Sequence, residues 1–313
     1  MKVLYLPIGS QPGTERAFHR FAETMVFDFT TSRDPGSELV RRALEFKPDL
    51  VHMQLQMTGA IQPEVIRNLR QKLPQTIFTN WTGDIRRKAD PSFIGVSKAV
   101  NYSLMSNVGQ IELYEQHGCE NVRYWQIGFD SQTYYPMNKT EFKYDVSFVG
   151  NDYGHTFPDG PIRTKIAETL KQKYGDRAGI FGSGYARIKV PSCDIRDTNE
   201  IYNSSACVVS VSNFNDVSHY FSDRMLMCLA SGRPTISYRF PGSQSYFTDR
   251  GDLLIANDEE HVYRLVEECL SKPEWASMIG YNGHLKVLSE HTFESRVLEL
   301  ISMVGLSAKL GNL

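Results

Sequence analysis

Short apolar runs alternate with stretches of helical period from residue 2 to residue 127, and after a break the alternation starts again at residue 145. This double start constrains the fold more than any other feature. Strands and helices joined in turn by short connections pack as a parallel sheet covered by helices. In the first half, residues 2–8, 25–29, 49–54, 76–81, 99–105 and 122–127 read as strands, and residues 14–23, 37–46, 62–73 and 109–117 as helices. Residues 128–138 carry aromatics and Pro136 without a period and read as a linker. In the second half, residues 145–149, 178–181, 207–211, 253–256 and a run ending at Tyr238 read as strands. Residues 163–174, 199–204, 259–270, 274–288 and 292–303 read as helices, with one more starting at Ser222. The expected fold class is α/β, with two Rossmann-like, doubly wound domains facing a cleft. Ligands bind such folds at the carboxyl ends of the strands, and clefts between domains favour small molecules.

A chain of 313 residues suits two domains. Its net charge of −2 gives no global basic field for nucleic acid, although a local patch is compatible with it. Cys119, Cys193, Cys207, Cys228 and Cys269 are odd in number and widely spaced, with no zinc pattern. A reduced, cytoplasmic setting is expected. The apolar run at residues 3–8 is too short for a signal-peptide core or a membrane span.

The stretch SHYFSDRMLMCLASGRPTISY, residues 218–238, reads as loop, short helix, glycine stop and buried strand. Ser222 is expected to cap the helix through its hydroxyl. His219, Ser222, Asp223 and Arg224 gather at the helix start, where free N–H groups and the dipole favour an anion such as phosphate. The plain alternative is a capped, solvated helix end.

Elsewhere the loops carry the chemistry. In IGSQPGTERAF, Gly9 and Gly13 let a ligand approach the backbone or simply make a turn. The loop lacks both the dinucleotide fingerprint and a Walker lysine, which disfavours dehydrogenases and P-loop enzymes. In NWTGDIRRKADPSF, Asp84 either orients or deprotonates an acceptor hydroxyl, or caps a turn. Arg86 and Arg87 either contact an anionic acceptor, nucleic-acid phosphates included, or stay solvated. His52 and Gln54 alternate along a strand and so share a face, lining the cleft or ending a sheet edge. In the second half, Gly150 and Asn151 end one strand, Gly182, Gly184 and Arg187 follow the next, and Arg163 lies on the intervening helix. These positions suit a nucleotide, with base and ribose by the second loop and diphosphate by the first loop and the Ser222 helix. Ordinary strand–helix turns are the alternative. No Asp-x-Asp pair and no G-x-S-x-G elbow occurs, which speaks against a metal-bridged sugar-nucleotide site and an α/β-hydrolase.

Several pieces, in order, resemble glycosyltransferases of the GT-B fold, above all the CgeB-like group related to the large retaining families. They are DVSFVGN (145–151), IFGSG (180–184), IYNSSACVVSVS (201–212), SDRMLMCLASGRPTIS (222–237), YFTDRGDLLIANDEEHVYRLVEECL (246–270) and GYNGHLKVLSEHTFESRVLEL (280–300). KPDLVHMQ (47–54) and YWQIGFDSQTYYP (124–136) are similar to that fold's acceptor domain and linker. The resemblance implies an acceptor-binding domain at 1–130, a nucleotide-sugar-binding domain at 131–291, and a last helix within 292–313 that crosses back. It implies transfer of a sugar from a nucleotide-diphosphate sugar to an acceptor hydroxyl, with retention and with no metal or cofactor. Arg224 would stabilise the leaving diphosphate, helped by Arg163 or Arg187, with Asp84 on the acceptor side. The acceptor is a small molecule, a lipid, a glycan, a protein or a modified DNA base. One departure stands out: Met227 occupies the place of the glutamate with which related retaining enzymes hold the ribose. A sugar-nucleotide epimerase and a non-catalytic nucleotide-sugar-binding protein share the architecture and are the competing readings.

Overall fold

The computed structural model describes residues 1–56, 59–85 and 88–310. The chain divides into two units, one of Met1–Gly128 with Phe293–Leu313 and one of Phe129–Thr292.

The first unit runs β1 (Lys2–Leu6), α1 (Pro12–Phe21), β2 (Glu23–Val26), α2 (Pro35–Phe46), β3 (Leu50–Met53), α3 (Pro63–Lys72), β4 (Ile77–Thr82), α4 (Pro91–Ser97), β5 (Tyr102–Met105), α5 (Ile111–Gln116) and β6 (Val122–Tyr124). Its six strands pair in parallel in the order β2-β1-β3-β4-β5-β6. Alternation along β1 divides the core. Leu4 and Leu6 pack with Leu39, Ile66 and Leu69 on one face. Val3 and Tyr5 pack on the other with Phe18, Trp125 and the terminal helix Phe293–Met303 through Val297, Leu300 and Ile301. That helix is pinned where Trp125 Nε1 donates to the Arg296 carbonyl at 3.0 Å and Arg296 Nε donates to the Ile127 carbonyl at 3.1 Å.

Two details differ from the sequence expectation. Helix α4 falls in a stretch read as loop. Asp90 starts it by accepting the Phe93 N–H at 2.9 Å, and Pro91 follows where no helical N–H is needed. Helix α1 begins at Pro12 for the same reason, so Gly13 lies inside it and not in the loop.

The second unit runs β7 (Tyr144–Val149), α6 (Gly160–Tyr174), β8 (Ala178–Phe181), α7 (Thr198–Asn203), β9 (Ser205–Val209), α8 (Asp223–Ala230), β10 (Thr235–Tyr238), β11 (Leu254–Ala256), α9 (Glu259–Ser271) and α10 (Pro273–Glu290); the terminal helix is therefore α11. Its strands are parallel in the order β11-β10-β9-β7-β8. The expected linker is built into this unit: Phe129 and Tyr134 are buried, and the Met137 N–H donates to Asn203. No helix among the described residues is long and apolar enough to cross a membrane.

Candidate functional site

The order of the second sheet reverses between β7 and β9. The connections leaving these strands run to opposite faces and open a crevice at their carboxyl ends. Gly150 directly follows β7 there, and Asn213 lies in the segment after β9.

Two arginines meet over Gly150. Arg163, from the first turns of α6, is only 2% exposed, and its Nη1 donates to Asn213 Oδ1. Arg224 comes from the first turn of α8. A Cβ on residue 150 would lie 2.5 Å from Arg163 Nη2 and 3.1 Å from Arg224 Nη1, so the glycine makes room for both heads. Arg163 Nε and Nη2 are buried and bond to nothing. Burial first, and then the neighbouring Arg224 charge, hold the Arg163 guanidinium down to about 10. Two like charges at this range, one of them buried, are unfavourable until an anion joins them. Their free N–H groups match the planar forks that grip phosphate.

The floor of this site is locked. Gly150 N–H donates to the Phe181 carbonyl at 2.8 Å, Asp152 N–H to the Ser183 carbonyl at 2.8 Å, and Ser183 N–H to Asn151 Oδ1 at 3.0 Å. Tyr185 donates its hydroxyl to the Gly150 carbonyl at 2.8 Å, and burial pushes that phenol up to about 12, which keeps it a donor. Gly182 has φ +151°, and a Cβ there would sit 2.2 Å from the Gly150 carbonyl oxygen. Gly184 likewise stands against the Asp152 carbonyl. Both glycines thus serve loop-on-loop packing, and the exposed Asn151 ties the two loops together through its side-chain carbonyl.

Four expected donor-side residues behave differently. The Ser222 hydroxyl does not cap α8; its Oγ is buried without a partner. Asp223 takes that role in part, its carboxylate accepting the Arg224 N–H at 2.7 Å. A carboxylate therefore occupies the helix start where the sequence places an anion site, and the guanidinium heads at Gly150 carry the positive charge instead. Arg187 is 83% exposed along its side chain and lies 3.6 Å from Glu168, and its atoms are not among those nearest Gly150. His219 has φ +59° and lies over Gly242, where a Cβ would approach its ring to 2.6 Å. It ties the segment after β9 to the one after β10. Tyr185, which follows the expected Gly182–Gly184 loop, and Asn213 complete the site, and Asn213 was not singled out. The signal that could have found Asn213 is its place after β9, the partner of β7 across the reversal.

The carboxyl side of the first unit corrects two more expectations. His52 is fully buried, with Nδ1 2.8 Å from Thr79 Oγ1 and its ring against Tyr5, Phe18 and Trp125. Burial lowers its pKa to about 3, so it is a neutral core group and lines no cleft. Gln54, 2% exposed, bonds with Tyr5 and Gln11 and accepts the Ile8 N–H, bracing the Gly9 loop from inside. Gly9 has φ +76° with open space beside it. Asp84 is exposed just past β4, its N–H 3.3 Å from Thr82 Oγ1. Arg86 and Arg87 lie outside the described residues. A cavity of about 250 Å³, lined by Leu55, Gln56, Ile61, Pro63, Pro91 and Val96 among others, opens beyond β3.

Residues 163–302 match the model of the family described as glycosyl transferase-like. No curated protein matches the chain. Solved structures similar to it include HepE from Anabaena in complex with UDP and glucose, at 12% identity and TM-score 0.66, covering 97% of this chain and 100% of that one. Sucrose-phosphate synthase from Thermosynechococcus elongatus is similar at 14% identity and TM-score 0.61, covering 97% and 98%. A protein assigned as a UDP-N-acetylglucosamine 2-epimerase, from Listeria monocytogenes, is similar at 11% identity and TM-score 0.55, covering 100% and 99%. The fold is thus α/β with two parallel-sheet, Rossmann-like domains as in GT-B structures. The family match adds support for a glycosyltransferase.

Proposed function

We propose that the chain takes a sugar from a nucleoside-diphosphate donor held by the second unit and passes it to an acceptor hydroxyl held by the first. The observation that carries this reading is the pair of converging guanidiniums at Gly150, one of them buried with donors unspent. Breaking the bond between sugar and diphosphate leaves negative charge on the departing phosphate oxygens. Groups fixed beforehand around that charge lower the barrier, because they need not reorganise as it develops. Arg163 is fixed by Asn213 and by packing over the Phe148 ring at 5.6 Å, and Arg224 is carried by the first turn of α8. In this reading the arginines meet the leaving-group charge without a metal ion. UDP, present in the HepE complexes, is the first donor base to test.

Retention of configuration and membership of the CgeB-like group follow from the sequence resemblance and belong to the same proposal. Asp84, exposed at the end of β4, is the acceptor-side candidate. Acceptor classes to test are small molecules, lipids, glycans, proteins and a hydroxylated base in DNA.

The experiment is a panel of nucleotide-sugars, with and without acceptors, read by release of nucleoside diphosphate and by the anomer formed. Acceptor-dependent release supports transfer. Sugar isomerisation without an acceptor points to an epimerase, and thermal stabilisation without product points to a binding protein. Arg224→Ala is expected to lower kcat by about 10²–10³, the usual effect of losing one preorganised charge stabiliser, while the melting temperature holds. An unchanged rate at saturating donor removes Arg224 from the mechanism.

A further inference from the structure

Asp159 stands at the N-cap of α6, but its carboxylate does not cap the helix. An N-cap aspartate usually has extended backbone and accepts an N–H from its own first turn. Asp159 has φ −100° and ψ 10°, and its side chain makes no cap bond. The carboxylate is directed instead to the segment after β9. Its Oδ2 accepts the Asn215 backbone N–H at 2.7 Å and the Asn215 Nδ2–H at 2.9 Å, across 56 residues of chain.

Asn215 closes its own segment at the same time. Its Nδ2 also donates to the Ser212 carbonyl at 3.0 Å, which folds residues 212–215 into a turn. Asn213 lies inside that turn and is held twice. Its backbone carbonyl accepts the Asp159 N–H at 3.1 Å, and its side-chain carbonyl accepts from Arg163 Nη1. The Asp159 carbonyl in turn accepts the Arg163 backbone N–H at 3.1 Å. Asp159 thus holds both ends of Arg163, the main chain directly and the guanidinium through the Asn213 turn. The start of α6 is closed from a second direction as well. Asp152 Oδ1 accepts the Thr164 hydroxyl at 2.6 Å, and a Cβ on Gly160 would collide with the Gly154 carbonyl oxygen.

We propose that Asp159 is a positioning residue for the diphosphate of the donor. With Asn215 it forms a latch that keeps Asn213 against Arg163. The buried guanidinium is then held in one conformation, with Nε and Nη2 left for the ligand. A long side chain fixed before the ligand arrives loses less freedom when it binds. Asp159 itself touches no ligand in this role. The role rests on the donor reading of the arginine pair and adds to it the groups that set the geometry of Arg163.

The probe is UDP, titrated by calorimetry into the full chain well below its melting temperature. Asp159→Ala removes the latch oxygen but no helix cap, and Asn215→Ala opens the latch from the other side while leaving Asp159 in place. Each is expected to weaken UDP about tenfold, within the range for residues coupled in one hydrogen-bond network. Asp159→Asn should stay within about threefold of the parent, because one oxygen takes both bonds and an amide oxygen can replace it. A purely structural role predicts a different pattern. Asn213→Ala cuts the link between latch and guanidinium, so adding Asp159→Ala to it should weaken UDP no further. Losses that add in the double variant overturn the latch. So does parent affinity in Asp159→Ala and Asn215→Ala, and so does an Asp159→Asn variant as weak as Asp159→Ala. A parent that binds neither UDP nor pyrophosphate removes the donor reading and the latch together, whereas a parent that binds and variants that match it remove the latch alone.

Discussion

Arg163 holds its charge at a cost. Its guanidinium sits near 10 against 12.5 in water, and one unit is worth about 1.4 kcal/mol, so roughly 3 kcal/mol of folding stability is forgone. The sign follows from linkage. Between the two values the unfolded chain binds the proton more readily than the native one, so stability rises with pH across that window, and the full cost is present at pH 7. Arg163→Met keeps most of the volume and removes the charge. The unliganded variant is expected to melt at the same temperature as the parent or higher, while the stabilisation given by UDP disappears. Scanning fluorimetry with and without UDP checks both halves, and a retained UDP shift in the variant refutes the assignment. Gly150, Arg163 and Arg224 were legible in the sequence because each stands just after a strand or in the first turns of a helix. Their mutual approach was not, since the contact of Arg163 with Asn213 spans 50 residues and nothing local encodes it. Arg187 shows the same limit in reverse: it is chemically equivalent and well placed in sequence, yet its side chain is largely exposed and pairs with Glu168. His52 failed for a third reason. Period two fixes which face of a strand a residue takes, but both faces of β3 are covered.

Among the elements, α8 depends on α10. Gly280 lies against the backbone of residues 232–234, the turn that ends α8 and begins the run into β10. Gly280→Ala puts a methyl 2.4 Å from the Gly232 carbonyl oxygen and 2.7 Å from Pro234 N, neither of which is a side-chain tip that can swing aside. Overpacking of this kind costs about 1–3 kcal/mol. The expected outcome is a lower urea midpoint with an unchanged slope, and no change in midpoint would mean that α10 shifts freely on its seat. The sequence showed α8 and α10 plainly, through apolar period and the Gly232 stop, yet gave no sign that two glycines in α10 exist for close approach. Helix α4 escaped notice because seven residues are too few for a period to stand out, although Asp90-Pro91 states its start as clearly as Asp34-Pro35 does for α2.

For the whole molecule, the strand–helix alternation was enough to expect two parallel sheets, and each half obeys it. The order of strands within each sheet, and so the place where the order reverses, is set by long-range pairing that no local pattern records. The return of the chain matters as much. Helix α11 belongs to the first unit although 164 residues of the second precede it. Val297, Leu300 and Ile301 are at most 1% exposed, and Val304 and Leu306 are 5% and 7% exposed, all packed with Val3, Tyr5, Phe18 and Trp125. At about 2 kcal/mol for each buried aliphatic side chain, this segment contributes up to roughly 10 kcal/mol, comparable with the whole stability of a domain. A chain ending at Thr292 should therefore lose the first unit and keep the second, whose main core draws on no residue of that segment. Hydrogen exchange separates the cases by peptide. Amides of β1, β3 and β4 are expected to exchange at once in the truncated chain while those of β7 and β9 stay protected, and protection retained in β1 would show that the first sheet closes without α11.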